Sequence, residues 1–285
     1  MMDGSDELPG ERTMKLIHSR RSLALAAALL VAALPRAHDC WLQPSSFRPA
    51  LKQRVDVSVQ VGVAWQGEEQ VRNPDRIFRL ARIDANGERP LPGFDRRAPA
   101  GLMNASVAGP AILVYQTNSA FLELLPDKFA SYLEEEGLER IAAERAKLGE
   151  AEKPAREYYK RCAKALVCVD GRSGVEFTKS VGLDLELVPL VDPHAERPEG
   201  KLAVQLLFDG KPLEGALVVA QPKSAPDKAQ KLRSDAQGKV EFTGVGADVW
   251  LVKSVHMQRS KNPGAEWQSY WAALTFELLA ATPAK

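Results

Sequence analysis

Val55, Val57, Val59, Val61 and Val63 alternate with Asp56, Ser58, Gln60 and Gly62. A period of two sends all five valines to one face and the intervening residues to the other, the pattern of a strand buried on one side. A helix would scatter these valines around its axis, so the chain has to build a β-sheet on this segment.

Further β-rich runs follow at Arg76 to Ile83, Ala111 to Gln116 and Phe121 to Leu125, separated by turn chemistry such as Asp84-Ala85-Asn86-Gly87 and Pro90-Leu91-Pro92-Gly93. Short strands with frequent turns predict an antiparallel sandwich. From Pro126 the pattern changes: Phe129, Tyr132, Leu133, Ile141 and Leu148 recur at helical spacing among Glu, Lys, Arg and Ala, with Gly137 dividing the region. Ala155 to Leu166 reads as another helix, so a helical insertion is expected at about 126–166, after which Val181 to Leu190 returns to strand.

The Pro- and charge-rich segment 191–200 lacks periodicity and reads as an interdomain linker. Beyond it, Leu202 to Phe208, Ala216 to Ala220, Val240 to Thr243, Val249 to Met257 and Trp271 to Leu278 are strand-like, with tight turns at Asp209-Gly210-Lys211-Pro212 and Asp235-Ala236-Gln237-Gly238. The expected architecture is mainly β, with two antiparallel immunoglobulin-like sandwich domains at 38–190 and 201–279, the first carrying the helical insertion.

The first 37 residues read as an address. From Met14 a basic stretch (MKLIHSRRS) leads into the apolar run Leu23 to Leu34 and then Pro35-Arg36-Ala37, the layout of a secretory signal peptide behind an acidic extension. Ser19-Arg20-Arg21-Ser22-Leu23 also suits twin-arginine export. Cleavage after Ala37, with Val31-Ala32-Ala33 as the alternative site, would release a soluble periplasmic chain, because an apolar run of this length falls short of the roughly 20 residues that span a bilayer.

Lys plus Arg count 38 against 37 for Asp plus Glu, and beyond Ala37 the totals are 33 and 33. A neutral mature chain has no electrostatic footprint for nucleic acid or an anionic membrane. Three Cys with no C-x-x-C exclude a disulfide framework, and Cys162 and Cys168 on a continuous helix would point about 240° apart. No H-E-x-x-H, P-loop or dinucleotide-binding glycine pattern is present, so a non-enzymatic role is expected.

Three histidines follow Ala37: His38, His194 and His256. Cleavage after Ala37 would give His38 a free α-amine that can chelate a metal together with its imidazole. Such nitrogen donors suit Ni(II), Co(II), Cu(II) and Zn(II). Asp39 is a candidate ligand or orienting acceptor, and Cys40 either a thiolate donor or a small buried hydrophobe. His194 reads as a solvated linker residue, and Glu134, Glu135 and Glu136 as a solvated helix face.

His38-Asp39-Cys40-Trp41-Leu42-Gln43-Pro44, Tyr132-Leu133-Glu134-Glu135-Glu136-Gly137-Leu138, Leu183-Asp184-Leu185-Glu186-Leu187-Val188-Pro189, Trp250-Leu251-Val252-Lys253-Ser254-Val255-His256-Met257 and Trp271-Ala272-Ala273-Leu274-Thr275-Phe276 occur in that order. Together they resemble DUF4198, a periplasmic family of domains of unknown function associated with nickel and cobalt uptake. The chain departs from the usual family opening at Cys40, an aromatic position, and at Gln43, commonly Glu. Leu207 to Ala216 with Ser234 to Phe242 separately resembles the carboxypeptidase regulatory-like sandwich.

The resemblance implies a periplasmic metal-binding protein that carries Ni(II) or Co(II) to a membrane importer, with His38 as primary ligand, His256 as second and Asp39 in support. A copper protein or oxidase using the N-terminal histidine, and a metal-free docking module, are the alternatives.

Overall fold

The valine strand folds as its pattern requires: it spans Arg54–Val63, and Val55, Val57 and Val59 are buried while Arg54, Asp56 and Ser58 are not. Each buried valine contributes about 2 kcal/mol of apolar transfer. The structure, a computed structural model, describes residues 38–194 and 200–280. The expected address segment, 1–37, and residues 195–199 of the expected linker lie outside the described residues.

The strands, in chain order, begin with β1 (Asp39–Pro44), β2 (Arg54–Val63), β3 (Gln66–Gln70), β4 (Ile77–Asp84), β5 (Gly87–Pro90), β6 (Gly101–Asn104), β7 (Gly109–Thr117) and β8 (Ala120–Leu124). Helices α1 (Pro126–Glu135) and α2 (Glu139–Lys147) follow, then β9 (Ala155–Val169) and β10 (Leu185–Pro189). The remainder is β11 (Leu202–Phe208), β12 (Lys211–Pro212), β13 (Leu217–Pro222), β14 (Gln230–Arg233), β15 (Lys239–Phe242), β16 (Asp248–Arg259) and β17 (Trp267–Leu278).

The fold is mainly β, and its sheets stack in three layers. A nine-stranded central sheet runs β14-β13-β16-β17-β9-β7-β4-β5, with β8 also on β9. On one face lies the four-stranded sheet of β1, β2, β3 and β6; on the other, that of β10, β11, β12 and β15. Side chains along the central strands alternate between the two cores. Leu251, Ala273, Ala163, Ala165 and Val167 pack under β1 and β2, whereas Val252, Leu274, Cys162 and Leu166 pack against β10 and β11.

The central sheet draws strands from both sides of segment 191–200, so this segment does not separate two hydrophobic cores. The junction is the pair β17–β9, which is parallel, in contrast to the antiparallel pairing expected throughout.

The segment from Ala155 to Leu166, expected as helix, is instead the first part of β9, one of the central strands. Its Lys, Arg and Ala favour a helix intrinsically, and tertiary context overrides that preference. From Cys162 onward every residue of β9 is buried, because both faces are covered, and a strand buried on both faces shows no alternation. Cys162 and Cys168 are free thiols on this strand, about 20 Å apart along it.

The buried Lys164 points to the third layer. Its Nζ donates to Glu186 Oε1 at 2.8 Å, and Glu186 also accepts from Ser180 Oγ at 2.7 Å and from the amides of Val181 at 2.8 Å and Gly182 at 2.9 Å. The ammonium and these donors together hold the Glu186 carboxyl below its usual range despite the burial that opposes it.

The two helices form as the spacing predicts, with Gly137 between them. The Leu138 amide reaches Leu133 O at 2.7 Å and the Gly137 amide reaches Glu134 O at 3.2 Å, the paired bonds of a Schellman cap. This requires a left-handed residue after the cap, and Gly137 supplies φ 65° at low cost. Phe129, Tyr132, Leu133 and Ile141 then pack on Val255, Met257, Trp267 and Trp271.

Candidate functional site

Glu136 is the cap residue that follows α1, between the helix and Gly137, and it is only 6% exposed. The solvated-face reading therefore fails for this residue: the acidic run ends at a tertiary contact. Across from it, Lys253 on β16 points to the β1 side of the central sheet, and its Nζ donates to Asp39 Oδ1 at 2.7 Å. Glu136 Oε1 lies 3.9 Å from the same ammonium.

Burial opposes the charge on Lys253, but Asp39 and Glu136 outweigh it and raise its pKa. Burial likewise pushes the Glu136 carboxyl up to about 7, with Lys253 opposing and Asp39 adding repulsion.

These groups line a cleft of about 270 Å³ together with Gln221 on β13, Lys231 on β14 and the turn residues Val63 and Ala64. Sheet register builds its floor: Val219 stands opposite both Lys231 and Lys253, which puts the three in one row. The turn at its mouth is strained. Ala64 and Trp65 form the two-residue loop between Val63 and Gln66, and both have positive φ, 52° and 65°. Hairpins of this length favour such angles but take Asn or Gly to reach them. The loop is held where it lies by Trp65 Nε1 donating to Gln221 O at 3.3 Å and by Lys223 over the Trp65 ring. Gly62 permits the tight approach behind it, since a Cβ there would lie 2.0 Å from Gln66 O.

The three expected metal ligands lie in three different surroundings. His38 is exposed at the head of β1, and its main-chain oxygen accepts from Arg161 Nη1 at 3.0 Å. Asp39 is buried and bound to Lys253. His256 sits on the opposite face of β16 from Lys253, its ring 4.5 Å from that of Phe208. The pairing of β16 with β17 is unbroken from Asp248 to Arg259, so residues 253 and 256 must face opposite ways. Burial, reinforced by Arg140, lowers the His256 pKa to about 4 and keeps its imidazole neutral.

His194, expected to be solvated, is instead tucked against Phe177 with Nδ1 3.1 Å from Asp192 Oδ1. Cys40, on β1 opposite Val61 of β2, is buried in the core between this sheet and the central one, and burial raises its thiol pKa against the pull of Arg161, which favours the hydrophobe reading.

Among the described residues no three His, Cys, Asp or Glu side chains are gathered as a metal site. Among the described residues no helix is long and apolar enough to cross a membrane. Lys253 and Glu136 were not distinguishable as site residues by composition or spacing; Lys253 does lie in the quoted block around His256, and strand alternation alone separates the two.

No curated protein matches the chain. Residues 36–258 match the family described as Domain of unknown function (DUF4198), and the chain belongs to that family.

Proposed function

We propose that this protein is an exported, non-enzymatic carrier of a transition-metal ion, with Ni(II) or Co(II) as cargo, that gathers the ion at residue 38 in the periplasm and passes it to a membrane importer. The observation that carries this reading is the placement of His38. Of the three expected ligands it alone stands exposed, at the head of a strand whose main chain is fixed by Arg161.

After cleavage at Ala37 the His38 amine and imidazole would form a bidentate chelate, leaving further positions on the metal open for a receiving protein. Nitrogen donors of this kind suit Ni(II) and Co(II) and also admit Cu(II) and Zn(II), so supply and the receiving site select the cargo. Asp39, being bound to Lys253, supports the strand under the chelate. His256, on the opposite face of β16 from Lys253, is no partner in this reading.

The test is metal titration of protein beginning at His38, carrying either His38→Ala or His256→Gln. The proposal expects Ni(II) and Co(II) affinity to be lost in the first and retained in the second. Equal affinity in both variants and in the unsubstituted protein would overturn it.

A further inference from the structure

The β4–β5 hairpin pairs its charges with one exception. Arg79 Nη2 meets Glu88 Oε2 at 2.7 Å and Arg82 Nε meets Asp84 Oδ2 at 2.9 Å, whereas Arg89 has no ion pair among the described residues. Register sets Arg89 directly opposite Arg82, so both side chains leave the same face of the sheet. Like charges directly opposite destabilise a strand pair, and the nearby Asp84 is already engaged by Arg82.

Both arginines line a cavity of about 430 Å³ between this hairpin, at the edge of the central sheet, and β6, which borders β2 in the first four-stranded sheet. That volume is within the range of small-molecule sites. Arg54, opposite Asn104 in the β2–β6 pair, is the third guanidinium in the lining and meets Asp56 at 3.1 Å. Among the described residues no carboxylate lines the cavity. With Arg54 and Arg82 paired, the surplus is the positive charge of Arg89, which is exposed and so open to a ligand.

The apolar part of the lining is fixed in place. Leu91 and Met103, 2% and 1% exposed, belong to the core between the two sheets. Pro90 and Pro92 flank Leu91 with backbone angles restricted by their rings, and the Leu102 amide donates to Pro92 O at 2.8 Å, which ties this segment to β6. Arg82 spans the same gap, its Nη1 donating to Asn104 O at 2.7 Å. The cavity is thereby preformed by contacts between the sheets. A guanidinium offers a carboxylate two parallel hydrogen bonds, and the proline and leucine walls favour hydrocarbon over a second charge.

We propose that this cavity binds a small monocarboxylate with an apolar body, its carboxylate held by Arg89 and its hydrocarbon by Pro90, Pro92 and Leu102. The site is separate from the His38 chelate and needs no metal.

The test is NMR titration of protein beginning at residue 38 and carrying His38→Ala, so that no carboxylate is held through a terminal metal. Benzoate and isovalerate are the probes, with benzamide, acetate and inorganic phosphate as comparators at constant ionic strength. Saturable binding of at least one probe, about tenfold or more tighter than any comparator, is expected. Arg89→Gln, at an exposed position, should weaken that binding about tenfold or more. Arg172→Gln, which removes the same charge outside the cavity, should leave it unchanged. The proposal is overturned if neither probe binds, if benzamide, acetate or phosphate binds as well as the probes, or if the two arginine variants behave alike.

Discussion

Glu157→Gln should make the protein more stable in alkaline than in acid solution relative to wild type, by an amount the structure sets. Glu157 lies on β9 beneath α1 and is fully buried. Its Oε1 accepts from Tyr132 Oη at 3.2 Å and from Ser269 Oγ, which also accepts from Trp271 Nε1 at 3.0 Å. No cation is among these partners, and burial raises the carboxyl pKa from 4.5 to about 7.

An unfolded glutamate ionises near 4.5 while the folded one holds its proton to about 7. Between those values the folded state binds more protons, so the contribution of Glu157 is fully present below the window and is lost as pH rises through it. At about 1.4 kcal/mol for each tenfold in proton affinity, the loss is about 3 kcal/mol. Glutamine keeps Oε1 for Tyr132 and Ser269 but does not titrate. Its amide nitrogen replaces Oε2, which has no partner either, and that cost is the same at every pH. Urea unfolding of both proteins at about pH 4 and about pH 8 should show the difference, variant minus wild type, rising by about 3 kcal/mol with alkalinity. A difference that does not change with pH would refute the assignment of a neutral carboxylic acid to this core.

His256 should act in the opposite sense. With its pKa depressed from 6.5 to about 4, the unfolded state binds the extra proton, so its contribution is present above 6.5 and declines as pH falls through that window. Relative to His256→Gln, wild type should lose about 3 kcal/mol between neutral and acid solution, measured by the same unfolding assay; parallel curves would contradict this. At the Lys164–Glu186 pair, Lys164→Met should cost about 3 kcal/mol, since the carboxylate keeps its hydroxyl and amide donors. Glu186→Leu should cost more, because it strands both the ammonium and those donors, and equal costs would show that the loop contacts contribute nothing.

The sequence was most readable where a single face is buried. β2 shows its alternation because one side meets the core and the other does not, and α1 and α2 show theirs for the same reason. β9 is covered on both faces and hides a lysine among apolar residues, so neither period nor composition marks it. The division into two sandwiches followed local turn chemistry, whereas the joining of the halves depends on the long-range parallel pair β17–β9, which has no local signature.

At the site, His38 and Asp39 stood out by position and resemblance. Glu136 was hidden in an acidic run and became distinct only through the cap at Gly137. The separation of His256 from Asp39 follows from the odd spacing of residues 253 and 256 once the segment is known to be an unbroken strand.

The central claim is that residue 38 gathers the metal through its own amine and imidazole. The most direct measurement is calorimetric Ni(II) and Co(II) titration, with elemental analysis, of protein starting at His38 against the same protein carrying one additional N-terminal alanine. The account predicts one ion bound tightly by the first and binding abolished in the second; equal binding by both, or none by either, would contradict it.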